Sequence, residues 1–183
     1  MAIATAKWTV HDYHRMIDAG ILDDRHVELL NGEIVEMSPE GIPHANRSTK
    51  GANYLRRLLS NRVEIREGKP ITLSDRSEPE PDISVVEPLE DEYDEHHPYP
   101  SNVFWLIEFS NSSLEKDLEL KRKIYAANGI QEYWVVNLRE MKLIVFRSPD
   151  AGDYQEKSTL AKGTIHPIAF PEVAIEVARF VKR

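Results

Sequence analysis

The densest apolar signal in the chain lies between residues 103 and 137. Val103 to Ile107 is an unbroken apolar run, short and rich in β-branched and aromatic residues, and predicts an inner strand covered on both faces. The run ends on a charge, Glu108, at the carboxyl end of a strand, where open α/β sheets bind their ligands. Ser112 to Glu115 fits a Ser-x-x-Glu capping box and Gly129 supplies a stop, which predicts a helix between them. At about 100° per residue, Leu114, Leu118, Leu120, Ile124, Tyr125 and Ala127 share a broad apolar arc opposite Glu115, Glu119, Arg122 and Lys123. Asp117 and Lys121 break that arc. One reading is an exposed i, i+4 ion pair. The other turns Lys121 towards carboxylates at the strand ends, since lysine is seldom buried without a partner. Tyr133 to Val136 predicts a second buried strand.

Upstream, Thr9 to Ala19 predicts a short helix with Thr9 as cap, Asp12 as its box partner and Gly20 as its end, placed to cover a sheet edge. Val27 to Leu30 and Glu33 to Met37 flank Asn31-Gly32, the dipeptide suited to a type I′ hairpin turn. Glu28 in the first of these strands reads either as an exposed strand glutamate or as a support to a site. His44 to Asn61 has helical periodicity, with Ala45, Ser48, Gly51, Ala52, Leu55, Leu58 and Leu59 inward and Arg47, Lys50, Tyr54 and Arg57 on the outer face. That outer face reads as a solvated surface or as a set of phosphate contacts from Arg47, Lys50 and Arg57. His44 falls on the inward arc, as a core histidine or as one reaching a site. Val63 to Arg66 and Ile71 to Leu73 predict short strands, and Pro81 opens another in which Asp82 shares a face with Ser84 and Val86. Within the acidic loop from Glu87 to Pro100, His96 and His97 are expected to be exposed and are given no role. Lys142 to Phe146 and Tyr154 to Leu160 predict a hairpin, and Ile165 to Val177 a further extended segment.

With 183 residues and no linker or repeat, the chain is expected to form one domain over residues 1–183. The absence of cysteine excludes disulfides, thiolate metal sites and a cysteine nucleophile, so any metal must take oxygen or imidazole ligands. No apolar stretch of about 18 residues occurs and the N-terminus lacks a signal-peptide core, so no membrane role and a cytoplasmic location are expected. A formal charge of −8 argues against loose electrostatic binding to nucleic acid, yet residues 44 to 69 are locally basic while Glu87 to Glu95 is acidic.

Asp82 at a strand start, Glu108 at the next strand's end and Lys121 on the following helix form a coherent set. Two carboxylates can hold Mg²⁺ or Mn²⁺ through hard oxygen ligands, and a lysine can orient the attacking water and stabilise charge on phosphorus. Together with Glu28-Leu29-Leu30-Asn31-Gly32-Glu33-Ile34, Met37-Ser38-Pro39, His44, Pro81-Asp82, Ile107-Glu108, Asp117, Lys121, Tyr125 and Glu132-Tyr133-Trp134, these residues resemble the PD-(D/E)XK nuclease superfamily. Within it they resemble the family labelled putative restriction endonuclease. The resemblance covers most of the chain. It implies an α/β (α+β) fold with a restriction-endonuclease-like core: a mixed central sheet flanked by helices, with an N-terminal helix plus hairpin and a C-terminal β extension. It also implies Asp82 and Glu108 as metal ligands, with Glu28, His44, Asp117 and Tyr125 around them. One position departs from the superfamily pattern: the lysine expected two residues after Glu108 is Ser110, and Lys121 on the helix matches the family's alternative. The resulting expectation is a metal-dependent, dimeric DNA endonuclease; the other is a catalytically silent module of the same fold that binds a protein or nucleic acid.

Overall fold

Six strands form a mixed central sheet in which each is hydrogen-bonded to the next in chain order. They are Glu64–Glu67 (β3), Ile83–Val86 (β4), Val103–Ser110 (β5), Glu132–Asn137 (β6), Lys142–Asp150 (β7) and Asp153–Leu160 (β8). Only β5 and β6 run parallel, joined across the sheet by a helical segment, and every other neighbouring pair is antiparallel. The structure is a computed structural model and describes residues 5–182, so residues 1–4 and 183 of the expected 1–183 unit lie outside it.

Alternation along β5 divides the core. Trp105, Ile107 and Phe109 face a layer built from helix α2 (Ile42–Leu59) and helix α4 (Ala178–Val181), whose contributions include Leu55, Leu59 and Phe180. Val103 and Leu106 face the opposite layer, where Ile124, Tyr125 and Ala126 of helix α3 (Arg122–Ala127) cover the sheet with Leu30, Ile71 and Leu73. Both faces are thus covered, the physical reason this strand is an unbroken apolar run from Val103 to Ile107. Glu108 and Ser110 share the second face and are directed under α3.

Helix α1 (Val10–Asp18) has the predicted Thr9–Asp12 capping box. The expected sheet-edge position is corrected: α1 rests on the hairpin of β1 (Val27–Leu30) and β2 (Glu33–Glu36), where Tyr13 packs with Val27 and Leu29. Asn31 and Gly32, with φ of 50° and 76°, make the two left-handed turn positions of that hairpin. The hairpin is a separate two-stranded sheet, tied inward through a bridge between Leu29 and Glu78.

Three further expectations change. Ile71 to Leu73 is a buried, irregular connection instead of a strand, because its N–H groups are taken by Pro79, Pro98 and Ser77 carbonyls. The extended segment from Ile165 to Val177 reduces to Thr164–Ile165 (β9) paired with Ile175–Glu176 (β10), followed by α4, which the alternation pattern did not indicate. Leu58 of α2 is exposed while Arg47 is buried, so both expected faces are amended. Arg47 lies one turn from both His44 and Gly51, at the flank of the inward arc.

Candidate active site

The register between β4 and β5 positions the acids. Ile83 pairs with Ile107, and continuing that antiparallel ladder by one residue sets Asp82 across from Glu108. Directly opposed residues have Cβ atoms about 4.5–5.5 Å apart, so the two carboxylates share one edge of the site. The Phe109 N–H donates to Asp82 Oδ2, fixing that side chain against the strand.

Lys121 reaches this edge from above. Its ammonium lies 2.9 Å from Glu108 Oε1 and 3.0 Å from Glu28 Oε2, and its residue is only 2% exposed. The exposed i, i+4 pair with Asp117 is therefore not formed. Tyr125 donates to the same Glu108 Oε1 at 2.9 Å. Glu28 is fully buried and also accepts from Lys116 at 2.9 Å and from the Glu80 N–H at 3.2 Å, which settles its placement against an exposed strand position.

Two lysines five residues apart can share Glu28 because the chain from Lys116 to Lys121 is π-helical. In an α-helix these positions would be about 140° apart. π-Helical segments recur at functional sites because the added residue redirects side chains. This one replaces the expected regular helix: the Ser112–Glu115 box does not form, and Ser113 and Ser110 hydroxyls donate to Asp117 Oδ2, each at 2.7 Å. The altered phase also leaves Leu120 and Ala127 exposed, outside the predicted apolar arc. Lys116 is the site residue that regular periodicity missed; only a five-residue lysine spacing against a buried glutamate could have indicated it. Ser110, where the superfamily pattern has lysine, anchors Asp117 and with it the π segment that delivers Lys121.

His44 enters from α2 with Nε2 3.0 Å from Asp82 Oδ2, while Glu40 lies 3.4 Å from Nδ1. Burial favours the neutral ring, but the Asp82 hydrogen bond and the charges of Asp82, Glu40 and Glu108 outweigh it and raise its pKa to about 9. Glu108 is pushed up to about 8, chiefly by burial and further by Asp82, Asp117 and Glu28, against the pull of Lys121. Lys121, despite burial, is raised by Glu108, Glu28 and Asp117. The two directions describe one cluster: four acids outnumber two lysines and His44, so the Lys121 ammonium keeps its proton and Glu108, buried among the other acids, retains another. Burial and Glu108 raise the Tyr125 phenol far above its ordinary range, keeping it a donor.

Asp82, Glu108, Lys121, Lys116, Asp117 and His44 all line one cleft of about 320 Å³, bordered by Glu40 and residues 36–39. The hydrogen bonds described to Asp82 fall on Oδ2 and those to Glu108 on Oε1. Each acid thus presents its second oxygen to the cleft, a donor set that suits a hard cation such as Mg²⁺ or Mn²⁺. Glu40, His44 and Asp82 also place ligand atoms within 4.8 Å of one another. Of the proposed phosphate contacts, Lys50 and Arg57 are exposed and line a second cleft of about 470 Å³ with Arg179 and Lys182, whereas Arg47 is buried. His96 and His97 are half-buried, not exposed as expected.

A protein-family model for Uma2, described as putative restriction endonuclease, matches residues 10–178. The chain belongs to the Uma2 family. The matched span takes in α1, the hairpin that carries Glu28 and every residue of the cleft. Among solved structures, the chain is similar to a putative nuclease belonging to DUF820 from Anabaena variabilis ATCC 29413. The two share 16% identity and a TM-score of 0.68 over 85% of this chain and 89% of that one, a likeness of fold. No curated protein matches the sequence. Among the described residues of this Uma2 protein, no helix is long and apolar enough to cross a membrane.

Proposed function

We propose that this protein is a divalent-metal-dependent endonuclease that hydrolyses DNA phosphodiester bonds at Asp82, Glu108 and Lys121. The observation that carries the reading is the convergence, in one open cleft, of two opposed carboxylates with a buried lysine bonded to one of them. Mg²⁺ or Mn²⁺ held by Asp82 and Glu108 would polarise the scissile phosphate and lower the pKa of a bound water. Lys121 holds Glu108 in position and sets a fixed positive charge where negative charge builds on phosphorus. Glu28 and Tyr125 keep Lys121 and Glu108 from turning away. Lys50 and Arg57 lie about 9 Å and about 20 Å along α2 from His44 and offer phosphate contacts beyond the cleft. A homodimer would supply two such sites for two strands, and light scattering would reveal it.

The test is cleavage of supercoiled plasmid with Mg²⁺ or Mn²⁺ by wild type, Glu108→Ala and Lys121→Ala. Metal-dependent nicking lost in both variants is expected; no cleavage by wild type, or equal cleavage by all three, overturns the proposal. The pairing of Lys121 with both Glu28 and Glu108 favours a second reading, a silent binding module in which these groups form a structural network. In that case thermal melting of wild type shows no Mg²⁺ shift, while Asp82→Asn changes stability alone.

A further inference from the structure

A second cluster of ligating side chains lies outside the cleft. His14 on α1, Glu78 after the turn at 74–77 and His97 in the acidic loop place ligand atoms within 4.8 Å of one another. His14 Nε2 is 2.6 Å from Glu78 Oε1, and the His14 and His97 rings meet edge-on with centroids 6.4 Å apart. They border a cavity of about 320 Å³ with Tyr13, Ile17 and Pro70.

The three groups come from segments far apart in sequence, and each is held independently. Glu78 is 2% exposed and bridges Leu29 through its backbone. Its Oε2 accepts from the Thr72 hydroxyl at 2.6 Å, which leaves Oε1 turned towards the histidines. The Thr72 N–H donates to the Pro98 carbonyl, securing the loop beside His97. Such orientation of a ligating carboxylate by a hydrogen-bonded neighbour is a common support of metal sites.

We infer that His14, Glu78 and His97 form a transition-metal site, selective for Zn²⁺ over Mg²⁺, that clamps α1 and the acidic loop to the turn carrying Glu78. Two imidazoles and one carboxylate are a donor set for Zn²⁺ or Co²⁺, whereas Mg²⁺ demands an oxygen shell. A tetrahedral zinc site spaces its ligand atoms about 3.3 Å apart, from bond lengths near 2.0 Å. All three atoms lie within 4.8 Å of one another and His14 Nε2 is 2.6 Å from Glu78 Oε1, so reaching that spacing moves His14 outward and needs rotation of the two partly exposed histidines, with Glu78 left in place. The cavity leaves room for water as a further ligand. This site shares no residue with the cleft and does not depend on nuclease activity.

The experiment titrates the full chain with Co²⁺, following its visible absorption, and then displaces it with Zn²⁺. Wild type is expected to develop the intense bands of a four-coordinate site, resistant to excess Mg²⁺. His14→Gln and His97→Gln should each weaken Co²⁺ binding at least about tenfold, while Asp82→Asn, which disables the Glu40–His44–Asp82 group, leaves these bands intact. Zn²⁺ should also raise the melting temperature of wild type and of Asp82→Asn but of neither histidine variant. Circular dichroism confirms folding, and either histidine variant suffices if the other is unfolded. Absence of the bands, their loss in Asp82→Asn, or their survival in a folded histidine variant overturns the assignment.

Discussion

Replacing Glu28 by glutamine tests whether the hairpin is an integral wall of the cleft. Glu28 is fully buried and its two oxygens receive Lys116, Lys121 and one backbone N–H. Glutamine keeps the volume but offers one carbonyl oxygen and one NH₂ group, and the NH₂ cannot accept from an ammonium. One lysine must lose its partner. The Lys116 side chain is 27% exposed and can turn to water; the Lys121 side chain, at 2%, cannot, so the carbonyl will face Lys121. Breaking a buried pair by removing one partner costs about 3–5 kcal/mol, and relaxation at Lys116 sets the expected loss at the lower end, about 3 kcal/mol. For a chain of this length that corresponds to about 6–12 °C in Tm. Urea unfolding at neutral pH, with m unchanged, measures it. Lys116→Met should cost less than Glu28→Gln. The carboxylate of Glu28 also raises the Glu108 pKa, so its removal should shift proton loss from Glu108 to lower pH. A loss under about 1 kcal/mol, or an upward shift of Glu108, refutes this account.

Glu108, with its pKa near 8, must release its proton to ligate a cation, so Mn²⁺ affinity should rise about tenfold per unit from about pH 6 and flatten above about pH 8; calorimetry in buffers of different ionisation enthalpy counts the proton, and a flat profile refutes the assignment. For the metal-free fold the same proton has the stabilising sign at low pH: its contribution is complete below the unfolded carboxyl pKa and is lost as pH rises through about 8, seen as a falling urea midpoint after correction with Glu108→Gln. Gly51→Ala brings a Cβ to 3.1 Å from the Phe109 and Phe180 rings, both fully buried, and overpacking of about 1–3 kcal/mol should exceed the roughly 1 kcal/mol gained in helix propensity, lowering Tm by a few degrees. Ser110→Ala removes one of two hydroxyl donors to buried Asp117 and should cost about 1–3 kcal/mol in urea unfolding.

The elements legible in the sequence were those whose local signals agreed with their surroundings. The run from Val103 and the block from Tyr133 are apolar because both sheet faces are covered, and Asn31-Gly32 names its hairpin because few other pairs accept two positive φ angles. The inward arc of α2 was recovered apart from Leu58 and Arg47. α4 escaped because it is four residues long, too short for a period to register, and is held by Phe180 against α2. The 71–73 connection has strand-like composition, but its hydrogen bonds go to loop carbonyls that only the tertiary structure brings near.

The cleft was legible through its discords. Asp117 and Lys121 interrupt an apolar arc, and a buried charge that breaks a pattern must be answered by a partner elsewhere. The sequence does not identify every partner, because a 3.6-residue period assumes a uniform helical phase. The π segment changes that phase, turns Lys116 onto Glu28 beside Lys121 and moves Leu120 outward. Near its start, Ser110 and Ser113 hold the Asp117 carboxylate from the strand end and from the preceding turn. The residue standing where the superfamily pattern has its lysine thus anchors the segment that delivers the lysine from the helix. A strand lysine at 110 would share a face with Glu108 and project into the space Asp117 now fills, so the two arrangements are alternatives. Lys121 therefore acts together with Ser110 and Asp117, and Ser110→Lys with Lys121 kept should leave Asp117 without its strand anchor while bringing a third lysine to the cluster.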